Sequence, residues 1–192
     1  MNLIILAGFN AVLYITPIVI AVVIVVAWLK VKQTKSRAGI LVEFRKMNFI
    51  SEDELSWYIA HDVIGAGGYP DCVVYKVDQT DKVCRQIAAF GPKNPDKQSI
   101  LNPINIPFGR GIVGHVAANG IMEKIDDANK DPRYVPDDDV RYSELSVPVL
   151  MNGVAVMVID SEHKNPSWFK ETDVKFVLEV AAIASEHLQK LK

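Results

Sequence analysis

The stretch Ser143 to His163, SELSVPVLMNGVAVMVIDSEH, decides the fold. Two apolar runs flank Asn152-Gly153, the strongest short hairpin signal in the chain, so two antiparallel β-strands are expected here. Within them stand two acids, Glu144 and Asp160. A two-residue turn pairs Met151 with Val154 and sets Glu144 opposite Ser161. A three-residue turn with Gly153 left-handed pairs Leu150 with Val154 and sets Glu144 opposite Asp160. Like charges facing each other across strands cost about 0.2–1 kcal/mol, and more when buried. Such a pair calls for a cation, a shared proton or water.

The 192 residues, 49% hydrophobic, suffice for one ordinary core and an additional segment. That segment is N-terminal. Asn2 to Leu29 carries no charged side chain, and residues 11–29 (AVLYITPIVIAVVIVVAWL) exceed the roughly 18 apolar residues a membrane helix needs, with Pro17 tolerable inside it. A cleaved signal peptide fits less well, lacking a basic start and a small-x-small cleavage site. Lys30, Lys32, Lys35 and Arg37 follow at once, which by the positive-inside rule puts the C-terminal part in the cytoplasm. Residues 30–46 hold six basic side chains and one acid; the rest of the chain holds 15 basic and 22 acidic. The cluster suits anionic headgroups, and the acidic remainder argues against nucleic acid as a partner.

Two cysteines, Cys72 and Cys84, fit a reducing compartment, and neither has metal-ligand spacing. A hairpin turning at Gln79-Thr80 would pair Cys72 near Ile87 and Cys84 near Tyr75. Ala38 to Val63 has helical periodicity, and Ser51 followed by Glu54 reads as a capping box starting its second half. CVVYKVD and KVCRQIAAF are strands around the polar turn QTDK, and INIPFG and IMEKID are short strands. Between the short strands, GRGIVGHVAANG forms a helix that Gly120 closes. Residues 127–142 (DANKDPRYVPDDDVRY) make a long polar loop. The last 28 residues give a terminal helix with Thr172 as candidate N-cap. Strands in antiparallel order with helices between and after them are α+β.

FGRGIVGHVAANG, NKDPRYVPDDD, SELSVPVLMNG, VMVIDSEH and WFKETDVKFVLEVAAIAS occur in the order and spacing of a GAF domain, which residues 60–191 resemble. The resemblance is to the subtype of bacterial signalling proteins. It implies an antiparallel six-stranded GAF sheet flanked by helices, here preceded by a single transmembrane helix, with a ligand pocket under the helix and the long loop. The resulting division is a membrane anchor over 1–29, a basic juxtamembrane linker and helix over 30–59, and a GAF domain over 60–192. The localisation that follows is single-pass in the bacterial inner membrane, the GAF domain cytoplasmic.

Family members bind cyclic nucleotides, haem, bilins or metabolites, or serve as relay and dimerisation units. The cyclic-nucleotide signature is partly matched by Asn129-Lys130 and Phe169 to Asp173, but Val174 stands where it requires Glu; Lys130 and Asp173 then read as structural and Phe169 as packing under the terminal helix. No cysteine lies in the loop or the GRGIVGHVAANG helix for bilin attachment. Free methionine-(R)-sulfoxide reductases share the fold, but their chemistry needs a thiolate and a resolving thiol, and the loop lacks both. Their ligand's ammonium group is held by acids on this hairpin, and Glu144 and Asp160 match two such positions. The candidate ligand-binding residues are therefore Glu144 and Asp160 for a cationic group, with Arg133, Tyr134 and Arg141 for a carboxylate or phosphate and Asp127 on the same loop. The competing expectation pairs Glu144 with Arg141 or Lys130 and leaves no ligand. His115 reads as a pocket-edge histidine, and Asp137-Asp138-Asp139 as a solvated run.

The expectation is a non-enzymatic sensory module that binds a small ligand and relays to a homodimer partner or a membrane protein, with cofactor unassigned. No kinase, cyclase or DNA-binding segment follows within the chain, so any signal leaves through another chain or the membrane helix. The alternative is an accessory subunit of a membrane complex with an empty pocket.

Overall fold

A computed structural model describes residues 19–20, 36–91, 100, 103–134 and 141–191. The chain divides into two compact units, Met1–Lys35 and Ser36–Lys192. Apart from Val19 and Ile20, the membrane span expected over 11–29 lies outside the described residues, as do the connector over 30–35 and Asp137-Asp138-Asp139. Among the described residues no helix is long and apolar enough to cross a membrane.

The second unit begins with two helices. In α1 (Arg37–Lys46), Ser36 caps the start by accepting the Gly39 N–H at 3.2 Å. The Ser51-Glu54 box starts α2 (Glu52–Tyr58): Ser51 Oγ accepts the Glu54 N–H at 3.1 Å, and Glu54 Oε2 accepts the Ile50 N–H at 2.9 Å. The helix then widens into a π-helical segment, Ile59–Gly65. Six strands follow: β1 (Cys72–Asp78), β2 (Val83–Phe90), β3 (Asn105–Pro107), β4 (Glu123–Ile125), β5 (Ser143–Met151) and β6 (Val154–His163). Helix α3 (Gly111–Asn119) joins β3 to β4, and α4 (Glu171–Lys190) ends the fold. The sheet order is β3-β2-β1-β6-β5-β4. This is an α+β fold, an antiparallel sheet flanked by helices, as the sequence resemblance implies.

Helices α1, α2 and α4 cover one face. Its core holds Phe44, Leu55, Val74, Leu145, Val147, Ile159 and Ile183, each at most 1% exposed. Helix α3 covers the other face with a smaller cluster, in which Ile112, Val113 and Val116 meet Tyr75, Ala155 and Val158.

Two details differ from the sequence expectation. The β1–β2 turn spans the four residues Gln79–Lys82, so Asp78 pairs with Val83 and Cys84 with Val77, and a register shift between Val74 and Tyr75 then sets Cys72 opposite Phe90. The Asp78 carboxylate favours that turn by accepting the N–H groups of Thr80 and Asp81 at 3.0 and 2.9 Å. Helix α4 starts at Glu171 with Lys170 as N-cap rather than Thr172, because Asp173 Oδ2 reaches back to the Lys170 N–H at 2.6 Å. Arg37 Nη1, 2.6 Å from Asp173 Oδ1, and Tyr69 Oη, 3.2 Å from it, hold that carboxylate.

The β5–β6 hairpin combines a two-residue turn with a bulge. Asn152 and Gly153 both have positive φ, 52° and 78°, as a type I′ turn requires, and Met151 pairs with Val154. Between Leu150↔Ala155 and Val149↔Met157 the register shifts, leaving Val156 as the extra residue. Beyond it Ser146 pairs with Asp160 and Glu144 with Glu162. Without the bulge Asp160 would face Leu145 on the large apolar face. The extra residue keeps Leu145, Val147 and Ile159 in that core while Asp160 points to the α3 side.

Candidate functional site

On the α3 side, period-two alternation lines up Glu144, Ser146 and Pro148 on β5 with Glu162, Asp160 and Val158 on β6. Glu144 is 4% exposed, Asp160 5% and Ser146 fully buried. Helix α3 lies close above. A Cβ on its Gly114 would come within 2.4 Å of the Pro107 carbonyl oxygen, so only glycine lets the helix approach the end of β3 this tightly.

Glu144 and Asp160 are diagonal neighbours on this face, and both are buried. Burial raises the Glu144 carboxyl well above the usual range, and the charges of Asp160 and Glu162 push the same way. Ser146, between them on the sheet, has no hydrogen-bond partner for its Oγ among the described residues.

The basic residues nearby are engaged with other acids. Arg133 donates Nη1–H to Glu123 Oε1 at 2.7 Å, and to Asp131 it donates Nε–H at 2.9 Å and Nη2–H at 2.7 Å. This fastens the loop after β4 back onto β4. Hydrogen bonding from Arg133 holds the Asp131 carboxyl below the carboxylate range, and the His115 imidazole, half-buried on α3, adds to it. Arg141 Nη1 lies 3.2 Å from Asp71 Oδ2 and its Nε 3.9 Å from Glu162 Oε2. Asp71 Oδ1 also accepts the Glu162 N–H at 2.8 Å, tying the β1 entry to β6. Tyr134 Oη accepts the Arg141 backbone N–H at 3.3 Å. Asp127 is paired with Lys130 at 2.8 Å, whose hydrogen bond lowers the Asp127 carboxyl.

The structure thus brings Glu144 and Asp160 together, although not as a direct cross-strand pair. It sets Arg141 and Tyr134 beside each other, and it commits Arg133 and Asp127 to partners within the protein. Neither Arg141 nor Lys130 is the partner of Glu144. Four participants were missed by sequence reading: Ser146, Glu162, Asp71 and Glu123. The i, i+2 step from Glu144 would have found Ser146; Glu162 needed the bulge, and Asp71 and Glu123 needed the sheet order.

The partial cyclic-nucleotide signature is dispersed. Asp173 caps α4, and Phe169, 2% exposed, packs in the large core against Tyr69 and Trp168. The cysteines stand on opposite faces, Cys72 in the large core and Cys84 in the α3 cluster. Burial raises both thiols, that of Cys84 to about 12. Of the unassigned histidines, His187 is buried with Nε2 2.9 Å from the Phe44 carbonyl, and His163 stacks on Trp168.

This sheet order, with a helix over an acidic face and a terminal helix on the other, coincides with a family model described as GAF domain, which matches residues 50–189. The chain belongs to the GAF family. Protein YtsP of Bacillus subtilis (strain 168) is 34% identical over 96 residues, 46% of this chain and 59% of the relative, so this GAF chain spans about three fifths of the curated relative it matches. Among solved structures, free methionine-R-sulfoxide reductase from Neisseria meningitidis in complex with its substrate is similar at 24% identity and TM-score 0.66, over 81% of this chain and 89% of that one. The GAF domain of a phosphoenolpyruvate-protein phosphotransferase from Coxiella burnetii is similar at 15% identity and TM-score 0.68, over 82% and 95%. These structural likenesses establish the GAF fold.

Proposed function

We propose that this GAF domain is a non-catalytic sensory module that binds a small cationic molecule on its α3 face and relays the change to a partner. One observation carries the reading: two carboxyl groups, Glu144 and Asp160, are buried against each other with Glu162 alongside, while Arg133 and Arg141 are engaged with other acids. An unliganded site of this kind is strained, and a bound cation relieves it. The Neisseria neighbour, a reductase acting on a free amino acid, supports an amino-group-bearing ligand. Its redox chemistry finds no counterpart in two buried thiols on opposite faces. In this proposal residues 11–29 anchor the chain in a bacterial inner membrane, the GAF domain lies on the cytoplasmic side, and a second copy or a membrane protein receives the signal.

The second reading, an accessory subunit with an empty pocket, is favoured by the pairing of Arg133 and Arg141 with acids of the protein itself. The unpartnered Ser146 hydroxyl and the stacked acids favour a ligand instead. A thermal-shift screen of the full chain against amino acids, polyamines, nucleotides and organic acids separates the two. A ligand at a hundredfold excess over its Kd adds about 2.7 kcal/mol, a shift of several degrees. The expected hits are cationic and vanish in Asp160→Asn; no hit, or hits confined to anions, overturns the cationic-ligand reading.

A further inference from the structure

We propose that the cleft on the exposed face of α2 and the π-helical segment, walled by Trp57 and Tyr58, is a docking seat for an arginine side chain of a partner protein. The α3 face and its ligand play no part in it. Glu54, Trp57, Tyr58 and Asp62 line an open cleft of about 290 Å³. On an unbroken α-helix, residues four apart drift steadily round the axis. The π-helical segment begins at Ile59, and its wider turn takes more residues, so Asp62 falls back over the face of Glu54 and Tyr58 instead of moving past it. Segments of this kind inside α-helices concentrate at functional sites.

Both aromatic walls are held from behind. Tyr58 stacks on Phe44 at 5.7 Å and meets Phe49 edge-on at 5.3 Å. Trp57 leans on His61 at 5.8 Å, and His61 is fixed in turn by Phe90 at 5.1 Å and by the Ala89 carbonyl, 3.0 Å from its Nε2. The walls are therefore set before anything binds. The field between them is negative: burial, and then the charges of Glu43 and Asp62, raise the Tyr58 hydroxyl above its ordinary value. On the neighbouring elements Arg45 turns to Glu186 at 2.9 Å and Lys76 to Glu52 at 2.6 Å.

Two aromatic rings and two carboxylates match one chemical class. A guanidinium is planar, so it stacks on an indole or phenol ring while its N–H groups reach carboxylates at the ring's edge. An ammonium is more strongly hydrated and has no flat face to stack. The volume lies at the lower limit of small-molecule sites and the cleft is open to solvent, so it takes one side chain rather than enclosing a metabolite. Ile50 points to a polypeptide as the source. Its N–H is held by Glu54 at one end of the cleft, and its side chain is 91% exposed, an apolar surface that a residue adjoining the arginine would cover.

The test is a tryptophan-fluorescence titration of the full chain with N-acetyl-L-arginine amide, its lysine and citrulline counterparts, and the capped dipeptides Leu-Arg and Arg-Leu. The arginine compound is expected to change the emission with a Kd on the order of millimolar, more weakly in high salt, and the citrulline compound is not. The change should vanish in Trp57→Phe, weaken about two- to fivefold in Glu54→Gln and in Asp62→Asn, and persist in Asp160→Asn. Glu54→Gln keeps an oxygen to accept the Ile50 N–H, so α2 stays formed. At least one dipeptide should bind more tightly than the single residue, a gain lost in Ile50→Ser. A change that survives Trp57→Phe, unaltered affinity in both carboxylate variants, or citrulline or lysine binding as well as arginine overturns the seat. Loss of the change in Asp160→Asn assigns the arginine to the α3 face and overturns it too. The single residue binding as tightly as both dipeptides overturns the protein source, and no change with any arginine compound overturns the whole proposal.

Discussion

The two faces of the sheet are built on opposite rules. Toward α1, α2 and α4 the strands present aliphatic and aromatic side chains to a single large core, and the polar groups buried there have structural partners. Asp173 caps α4 and binds Arg37, and His187 meets the Phe44 carbonyl. Toward α3 the apolar cluster is small, and beyond its edge the same strands bury Glu144, Ser146 and Asp160. A buried acid pair opposes folding, so it persists only where the rest of the molecule supplies the stability. The large face supplies it.

The comparison breaks most visibly at Phe44. This ring is fully buried and stacks on Tyr58 at 5.7 Å, with Phe49 and His187 at its edges. Phe44→Ala should cost about 3–5 kcal/mol in urea unfolding; a loss below about 1 kcal/mol would mean that the large face does not carry the stability.

The α3 face should answer to pH instead. The folded-state value of Glu144 is raised above the usual 4.5, so the folded protein holds a proton that the unfolded chain releases. The stability this contributes is complete below about pH 4.5 and is lost as pH rises through the raised value. Chemical denaturation from pH 5 to pH 8 should show wild type losing stability, at up to about 1.4 kcal/mol per pH unit, while Glu144→Gln flattens the profile. Parallel profiles for the two proteins would show that burial does not raise the Glu144 carboxyl.

A smaller effect sharpens the contrast at the rim. Arg133→Ala removes the clamp on Glu123 and Asp131, groups that are partly exposed, so its cost to global stability should be about 1 kcal/mol or less. Its local effect should be larger: the amides of residues 128–134 should exchange faster in hydrogen-exchange measurements, with the α4 amides unchanged. Equal protection of the loop in both proteins would show that Arg133 does not hold it.

Much of this division was legible before the structure. The strand CVVYKVD, the helix GIVGHVAAN closed by Gly120 and the Ser51-Glu54 box are decided within four or five residues, where backbone sterics and local hydrogen bonds suffice. The two acids stood out because apolar strands seldom carry them. The start of α4 was misjudged because Thr172 has the better N-cap chemistry in isolation, whereas Asp173 is oriented by Arg37 and Tyr69, more than 100 residues away.

By itself the sequence determined the strands and helices, the GAF resemblance and the presence of two acids on one hairpin, since each follows from local periodicity, turn chemistry or motif order. Only the tertiary structure decided how those acids meet. The bulge at Val156 is favoured by nothing in its neighbours; it exists because Leu145 and Ile159 must reach one core while Asp160 avoids it. That same shift set Ser146 against Asp160 and Glu162 against Glu144, and the sheet order then took Arg141 to Asp71. Pairings of that kind depend on burial summed over the whole sheet, a quantity no short stretch of sequence contains.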